Sequence, residues 1–407
     1  MGLWRRDGQA FGREKTLLLI RRALSRVRIP GSRAVYIPLR RIAQRWTVHS
    51  PWAGAETKGE VAPHPFAQWL LWEEQSNFAG FRTPTGAVEL ELAAVPRSDV
   101  VVELAADAPR ALADRFLAGD RVLLPRHPLN RDASVAFSSA PTAERWPARF
   151  TSSRTLVVEH GSAAPFALKL ATDHPHPAVC QPEKTRMATE VEEALHFAAH
   201  VRAVDARLGG DPELIVLTES LGVRVRGGET GFLVRDLARL CDGCFYLPAF
   251  SIPFVGRALA ALAQREFAAF WADAYAEPVG RAKARLLARY GLQYVTPNPQ
   301  NILVQLDRAL RPTGAIVFRD LADTDFVTDS ARACGAAWTR VTAALAPETA
   351  NSFWAFDQAP DSPAGPETLE RWYARHDRAY VAELRSQRGL AGSSSLEALA
   401  RELAAAA

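Results

Sequence analysis

Phe150-Thr151-Ser152-Ser153-Arg154-Thr155-Leu156-Val157-Val158-Glu159, then His160-Gly161-Ser162-Ala163-Ala164, then Phe166-Ala167-Leu168-Lys169-Leu170-Ala171 is the stretch on which the fold turns. Two β-rich runs joined by a loop of turn-forming residues predict a hairpin. Its mouth carries the hydroxyls of Ser152, Ser153 and Thr155 beside Arg154, and the returning strand carries Lys169. A planar guanidinium fork, a compact ammonium and three hydroxyls together suit a phosphate. The same residues also suit a polar strand start with a surface arginine, and the spacing leaves both readings open. Lys169 draws notice for another reason. Only five of the 49 basic residues are lysines (Lys15, Lys58, Lys169, Lys184 and Lys283), so a lysine kept inside an apolar strand suggests a need that guanidinium does not meet.

Working outward from the hairpin, residues 65–76 have helical spacing (Phe66, Trp69, Leu70, Trp72). Val88–Val95 and Val100–Leu104 read as strands, Arg110–Leu117 as a short helix, and Arg121–Leu124 as a strand stopped by Pro125. Beyond the hairpin, a long amphipathic helix is predicted over 184–207, with short strands near 213–218, 222–226 and 231–236. From about 254 the pattern is helical to Tyr290, interrupted at Pro278. Strands follow at Ile302–Leu306 and Ala315–Phe318, then a helical remainder that ends with Ser395 capping Leu396–Ala406. Strands and helices fall in blocks rather than alternating, so an α+β architecture is favoured over a doubly wound sheet.

Composition limits what such a chain can be. Of 407 residues, 48% are hydrophobic and 23% charged, which supports a folded core and argues against wholesale disorder. No apolar run approaches the ~18–20 residues of a membrane span, and none forms a secretory leader. Four cysteines make no disulfide framework, so reduced thiols and a cytoplasmic location are expected. Residues 1–50 hold twelve Arg and Lys against Asp7 and Glu14, a net +10, which leaves −6 on the rest of a chain whose formal charge is +4. Such an arm suits an anionic partner or a solvated helical face. It lacks interleaved aromatics and a recognised binding module, so no nucleic-acid partner is expected. Residues 51–62 read as a linker.

Two more constellations carry chemistry. Thr296-Pro297-Asn298-Pro299-Gln300-Asn301 opens one strand, and Arg319-Asp320 closes the next. Asn301 and Asp320 are oxygen ligands of the kind Mg²⁺ prefers, although an ordinary proline turn fits the same residues. Pro125-Arg126-His127-Pro128 holds a histidine on stiff, extended backbone. P-loop, Rossmann and nucleophile-elbow signatures are absent. Cys241-Asp242-Gly243-Cys244 is a lone pair without the second pair a zinc site needs.

Taken in order, Pro125-Arg126-His127-Pro128-Leu129-Asn130, Ser152-Ser153-Arg154-Thr155, Lys169, Arg186, Gly231-Phe232-Leu233-Val234-Arg235, Thr296-Pro297-Asn298-Pro299-Gln300-Asn301 and Arg319-Asp320 resemble the signatures of the IucA/IucC-type, NRPS-independent siderophore synthetases. The resemblance covers about residues 85–330. It implies a hand-like α+β fold of thumb, fingers and palm, with mainly antiparallel sheets and flanking helices. It implies an enzyme that uses ATP and Mg²⁺ to adenylate a carboxylic acid, citrate-like or another polycarboxylate, and passes the acyl group to an amine or alcohol. By this resemblance His127, Ser152, Ser153, Arg154, Thr155, Lys169 and Gln300 would bind the nucleotide. Arg154, Lys169 and Arg186 would serve catalysis; Arg186, Asn298 and Arg235 would hold substrate; and Asn301 and Asp320 would hold the metal. The division expected is a basic arm and linker over 1–62, a β-rich region with the phosphate hairpin over 63–240, and a helical and β region with the metal- and substrate-binding loop over 241–407. A homodimer is entertained. The sequence departs from the family where its Glu and His are Thr296 and Asn298, and the basic arm is expected to stand in for most of the family's N-terminal helical subdomain. Two alternatives stay open: a small-molecule phosphotransferase using Lys169, Asn301 and Asp320, and a non-catalytic nucleotide- or carboxylate-binding relative.

Overall fold

The computed structural model describes residues 64–81, 83–130, 141–158, 165–172, 175–176, 181–182, 187–228, 230–294, 297–326, 349–358 and 362–388. The basic arm and linker, Arg186, Thr296 and the helix expected over Leu396–Ala406 lie outside these residues. The chain is α+β, with mostly antiparallel sheets flanked by helices.

Among the described residues the larger sheet has nine strands: β1 (Val88–Pro96), β2 (Val100–Leu104), β3 (Leu117–Ala118), β4 (Arg121–Arg126), β5 (Pro141–Phe150), β6 (Thr155–Val158), β7 (Phe166–Leu170), β11 (Glu219–Val225) and β12 (Gly231–Asp236). Their spatial order is β2-β11-β12-β7-β6-β5-β1-β4-β3, and every pair is antiparallel. The hairpin predicted at the outset is β6–β7, with Thr155 directly opposite Lys169. Between β7 and β11 lie the short pair β8 (Pro175–His176) and β9 (Gln181–Pro182) and the three-residue strand β10 (Leu214–Val216). Strand β10 belongs to a second, four-stranded sheet with β13 (Phe245–Pro248), β15 (Ile302–Leu306) and β16 (Pro312–Phe318), in the order β10-β16-β15-β13. Its β10–β16 pair is parallel. A small ladder joins β14 (Leu292–Tyr294) to β17 (Thr324–Phe326).

Two sequence expectations change. Strand β4 runs through Pro125, which pairs with Leu92 on one side. Beyond Val122 the other side of β4 has no ladder partner among the described residues, since β3 pairs only Val122 and Arg121, so the missing N–H of proline costs nothing there. Strand β5, with Pro141 and Pro147 and three charged residues, was not expected; its Trp146, Ala148 and Phe150 are buried and fill the core between β1 and β6.

The helices are α1 (Pro65–Phe81), α2 (Arg110–Phe116), α3 (Met187–Leu208), α4 (Ile252–Leu262), α5 (Phe267–Trp271), α6 (Glu277–Tyr290), α7 (Trp354–Gln358) and α8 (Pro366–Arg388). The break expected at Pro278 does not occur: the backbone stays helical from α5 through a π turn over Ala272–Ala276 into α6, and the wide turn just before Pro278 accommodates a residue that cannot donate. None of the described helices is long and apolar enough to cross a membrane.

Three apolar clusters organise these layers. One covers the large sheet and centres on Phe116, whose ring lies 5.2 Å from Trp146 and 5.1 Å from Phe232. A second joins α4–α8 to the small sheet. The third decides where the site falls: Phe66, Trp69 and Leu70 of α1 pack against Val157 and Ala167 of the large sheet and against Leu303 and Val317 of the small one. Helix α3 lies on the large sheet at Gly222, where a Cβ would sit 2.5 Å from Val191 Cγ1, so only glycine admits this approach.

Candidate functional site

The hairpin mouth is built by its own side chains. Ser152 Oγ accepts from the backbone N–H groups of Arg154 (3.3 Å) and Thr155 (2.9 Å), a serine turn that ends one strand and starts the next. His127 braces it from the residue just past β4. The N–H of Leu129 donates to His127 Nδ1 at 3.2 Å, so Nε2 carries the proton and donates to the carbonyl of Ser153 at 2.9 Å. Asn130 Nδ2 ties the same loop to the carbonyl of Ala171 at 3.2 Å. His127 is thus a buried strut beneath the turn, and Ser152 shapes it.

Arg154, Thr155 and Lys169 lie on the face that meets the second sheet. Lys169 Nζ donates to Asp320 Oδ1 at 2.7 Å and Oδ2 at 3.0 Å, and stands 3.5 Å from Glu190 Oε2. Arg154 Nη1 lies 3.1 Å from both oxygens of Glu190. Four side chains from four elements (β6 with its turn, β7, α3 and the end of β16) therefore meet in one ionic cluster. Burial opposes ionisation of Asp320, yet the charges of Lys169 and Arg235 outweigh it and hold the carboxyl well below its usual range. Glu190 is also lowered, since Lys169 and Arg154 overcome its burial, and Lys169 is raised because Asp320 outweighs the same penalty.

The backbone at Asp320 is the sharp feature of the R-D strand end. Its φ of 69° is left-handed, a region Asp tolerates better than most residues. The turn sends Arg319 and Asp320 in opposite directions. Arg319 Nη1 reaches Glu73 of α1 at 2.7 Å and its Nε holds the carbonyl of Gln300 at 3.0 Å, while Asp320 reaches Lys169. Tyr294 OH donates to the carbonyls of Arg319 and Asp320, the latter at 3.0 Å.

The loop before β15 is likewise held. Asn298 Oδ1 accepts from the N–H of Gln300 at 2.8 Å, capping the 3₁₀ turn Pro299–Asn301. Gln300 Nε2 donates to Asn77 Oδ1 at 2.8 Å, and Asn77 Nδ2 donates to the carbonyl of Thr151 at the hairpin mouth. Helix α1 thus links the two halves of the site through one asparagine. Asn301 is buried, and its carbonyl accepts from the N–H of Arg319 at 3.1 Å. From below, Lys283 Nζ donates to Ser352 Oγ at 2.6 Å, and Ser352 Oγ donates to the carbonyl of Pro297 at 3.1 Å. Arg235 pairs with the buried Glu219; among the described residues neither Arg235 Nε nor Glu219 Oε2 has a hydrogen-bond partner.

Of the residues singled out from sequence, Arg154, Lys169 and Asp320 share one ionic cluster, with Thr155 opposite Lys169 and Arg235 close enough to shift Asp320. Ser152, His127, Asn298 and Gln300 spend the hydrogen bonds described here on shaping loops, and Arg186 lies outside the described residues. Sequence reading missed Glu190, Glu219, Glu73 and Asn77. A signal existed for Glu190: an acid in the first turn of the helix that follows a strand lysine.

With this geometry in place, comparison with solved structures is informative. The aerobactin synthetase IucC from a hypervirulent pathotype of Klebsiella pneumoniae superposes with a TM-score of 0.56 at 14% identity, over 93% of this chain and 80% of that one. ATP-bound aerobactin synthetase IucA from the same source gives 0.55 at 17%, over 96% and 81%. The petrobactin biosynthesis protein AsbB from Bacillus anthracis str. Sterne gives 0.53 at 12%, over 92% and 79%. The fold is that of the siderophore synthetases. No protein-family profile and no curated protein sequence matches the chain.

Proposed function

We propose that this chain is an ATP- and Mg²⁺-dependent ligase that adenylates a carboxylic acid and condenses it with an amine or hydroxyl, in siderophore-type biosynthesis. One observation carries the reading: the hairpin residues Arg154 and Lys169 and the strand-end Asp320, more than 150 positions from the hairpin in sequence, join one partly buried ionic cluster. The ATP-bound aerobactin synthetase among the similar folds supports it.

The chemistry suits these groups. A carboxylate oxygen of the acid attacks the α-phosphorus of ATP, the bond to the bridging oxygen breaks, and pyrophosphate leaves with the electron pair. Charge builds on the equatorial oxygens in the transition state, where fixed Arg154 and Lys169 stabilise it without reorganising. The acyl adenylate then loses AMP to the attacking nitrogen or oxygen, whose proton departs. Among the described residues no group of three or more His, Cys, Asp or Glu could hold a metal ion by itself. Mg²⁺ suits such a place, because it takes one or two carboxylates and completes its shell with phosphate oxygens and waters. Asp320, kept ionised by Lys169 and Arg235, and Asn301 would hold it, and it would neutralise phosphate charge. Arg235 and Arg186 are assigned to the substrate carboxylate, and Asn298 to the substrate side of the loop.

ATP–pyrophosphate exchange across a panel of polycarboxylic acids tests this reading. Acid-dependent exchange by the folded protein is the expected result; no exchange with any acid would refute it. A second reading, phosphotransfer, is favoured by one contact. A strand lysine beside a helix glutamate and an acidic metal ligand is the arrangement protein kinases use on the phosphates of ATP. Products separate the two: AMP with pyrophosphate marks adenylation, and ADP marks a kinase.

A further inference from the structure

The two cations assigned to phosphate are already matched by two carboxylates. Lys169 Nζ donates to Asp320 Oδ1 and Oδ2 at 2.7 and 3.0 Å and stands 3.5 Å from Glu190 Oε2. Arg154 Nη1 is held by both oxygens of Glu190. The cluster of Arg154, Lys169, Glu190 and Asp320 is electrically neutral, and the neighbouring Arg235–Glu219 pair adds no net charge. A triphosphate that arrived alone would meet two cations whose charge is already matched and two carboxylates that repel it.

Asp320 has a role in such an encounter as a metal ligand. Glu190 has none assigned, and it touches both phosphate cations. Its backbone position is fixed by packing. It sits in the first turn of α3, next to Val191, which is fully buried, and Val191 and Leu195 close over Gly222 of β11 with no room for a Cβ. The packing of the helix on the sheet keeps the Glu190 backbone beside the two cations, within reach of its carboxylate.

We propose that Glu190 is a built-in counter-anion that makes nucleotide binding conditional on a divalent cation: it occupies Arg154 and Lys169 until a metal–nucleotide complex, with its reduced negative charge, replaces that pairing. The proposal rests on the nucleotide reading above. It makes Glu190 a specificity-determining residue that selects the metal-bound over the metal-free form of the nucleotide.

Calorimetric titration of the full chain with ATP, in EDTA and in excess Mg²⁺, tests it in wild type, Glu190→Gln and Glu190→Asp. The amide keeps the shape and accepts from Arg154 but removes the charge. In EDTA, Glu190→Gln should bind ATP at least about tenfold more tightly than wild type, whereas in Mg²⁺ the two should agree within about threefold. Glu190→Asp, which keeps the charge, should retain the wild-type dependence on metal. Equal affinity of wild type with and without Mg²⁺ would overturn the proposal with no variant needed. So would a Glu190→Gln affinity in EDTA no tighter than wild type; in both cases the nucleotide reading survives, because binding is seen. Absence of binding by every protein in both buffers would overturn the nucleotide reading and this proposal with it.

Discussion

Arg319 and Asp320 are neighbours in the chain, and each makes an ion pair in the interior between the sheets, one buried and one half-buried, yet the two pairs behave differently. On the Arg319 side, burial dominates: it raises the carboxyl of Glu73 despite an Arg319 contact of 2.7 Å and the nearby Arg235. On the Asp320 side, attraction dominates: Lys169 and Arg235 hold the carboxyl low against the same penalty. The first pair is enclosed by α1 and by the Gln300 carbonyl and has one cation close to one acid. The second belongs to a cluster with several cations and is partly open to solvent, with side-chain exposures of 11% and 18% against 8% and 1% for Arg319 and Glu73. A closed pair can only join elements together. A cluster with more than one cation and a way out to solvent can exchange a carboxylate for a ligand. The left-handed turn at Asp320 assigns one residue to each task.

The largest effect expected from this contrast falls on folding. Glu73→Ala strands Arg319 in the interior and should cost about 3–5 kcal/mol in denaturant unfolding, since losing one partner of a buried pair leaves an uncompensated charge. Asp320→Ala should cost clearly less, because Glu190 remains for Lys169. Equal losses would erase the distinction between the two sides.

Next come the cations of the open side. Arg154→Ala and Lys169→Ala should each weaken nucleotide binding by about 1.5–3 kcal/mol, the range for hydrogen bonds to charged groups, while circular dichroism and the melting transition show a folded chain. Wild-type binding by both would remove the phosphate role.

The smallest effect concerns acid. Asp320 and Glu190 titrate below their ordinary values, so the folded protein binds fewer protons than the unfolded chain as pH falls through the carboxylate range. Their contribution is fully present above that range and fades on acidification toward their lowered values. Asp320→Asn should therefore lose about 1–2 kcal/mol at pH 7 and a smaller amount at pH 3, measured by urea unfolding at both. A loss independent of pH would show that the carboxylate charge is not what stabilises this cluster.

The contrast also shows why parts of the site were legible before any coordinates. Lys169 stood out because only five of the 49 basic residues are lysines and this one lies inside an apolar strand, where a compact ammonium does what guanidinium does not. The polar strand start at Ser152–Thr155 and the proline turn before Asn301 were visible as alternatives, while the serine turn and the Asn298 cap that build them were not singled out, although both use short-range hydrogen bonds. Glu190 escaped notice because an acid in the first helical turn is ordinary, and only the packing of α3 at Gly222 brings it to Arg154. Strand β5 escaped because its two prolines and charged residues hide an alternation that becomes plain only when Trp146 and Phe150 are seen in the core.

From its sequence alone this protein is committed to an α+β architecture, to a hairpin with Thr155 and Lys169 on its strands, and to a capped turn before Asn301, because periodicity, turn chemistry and capping act over a few residues. The meeting of Lys169 with Asp320, the opposite duties of Arg319 and Asp320, and the hold of Glu190 on two cations were decided by tertiary structure. They depend on α1 wedged between two sheets and on α3 seated over a glycine. Contacts among residues tens to more than a hundred positions apart are set by how whole faces pack, and no local pattern of residues carries that information.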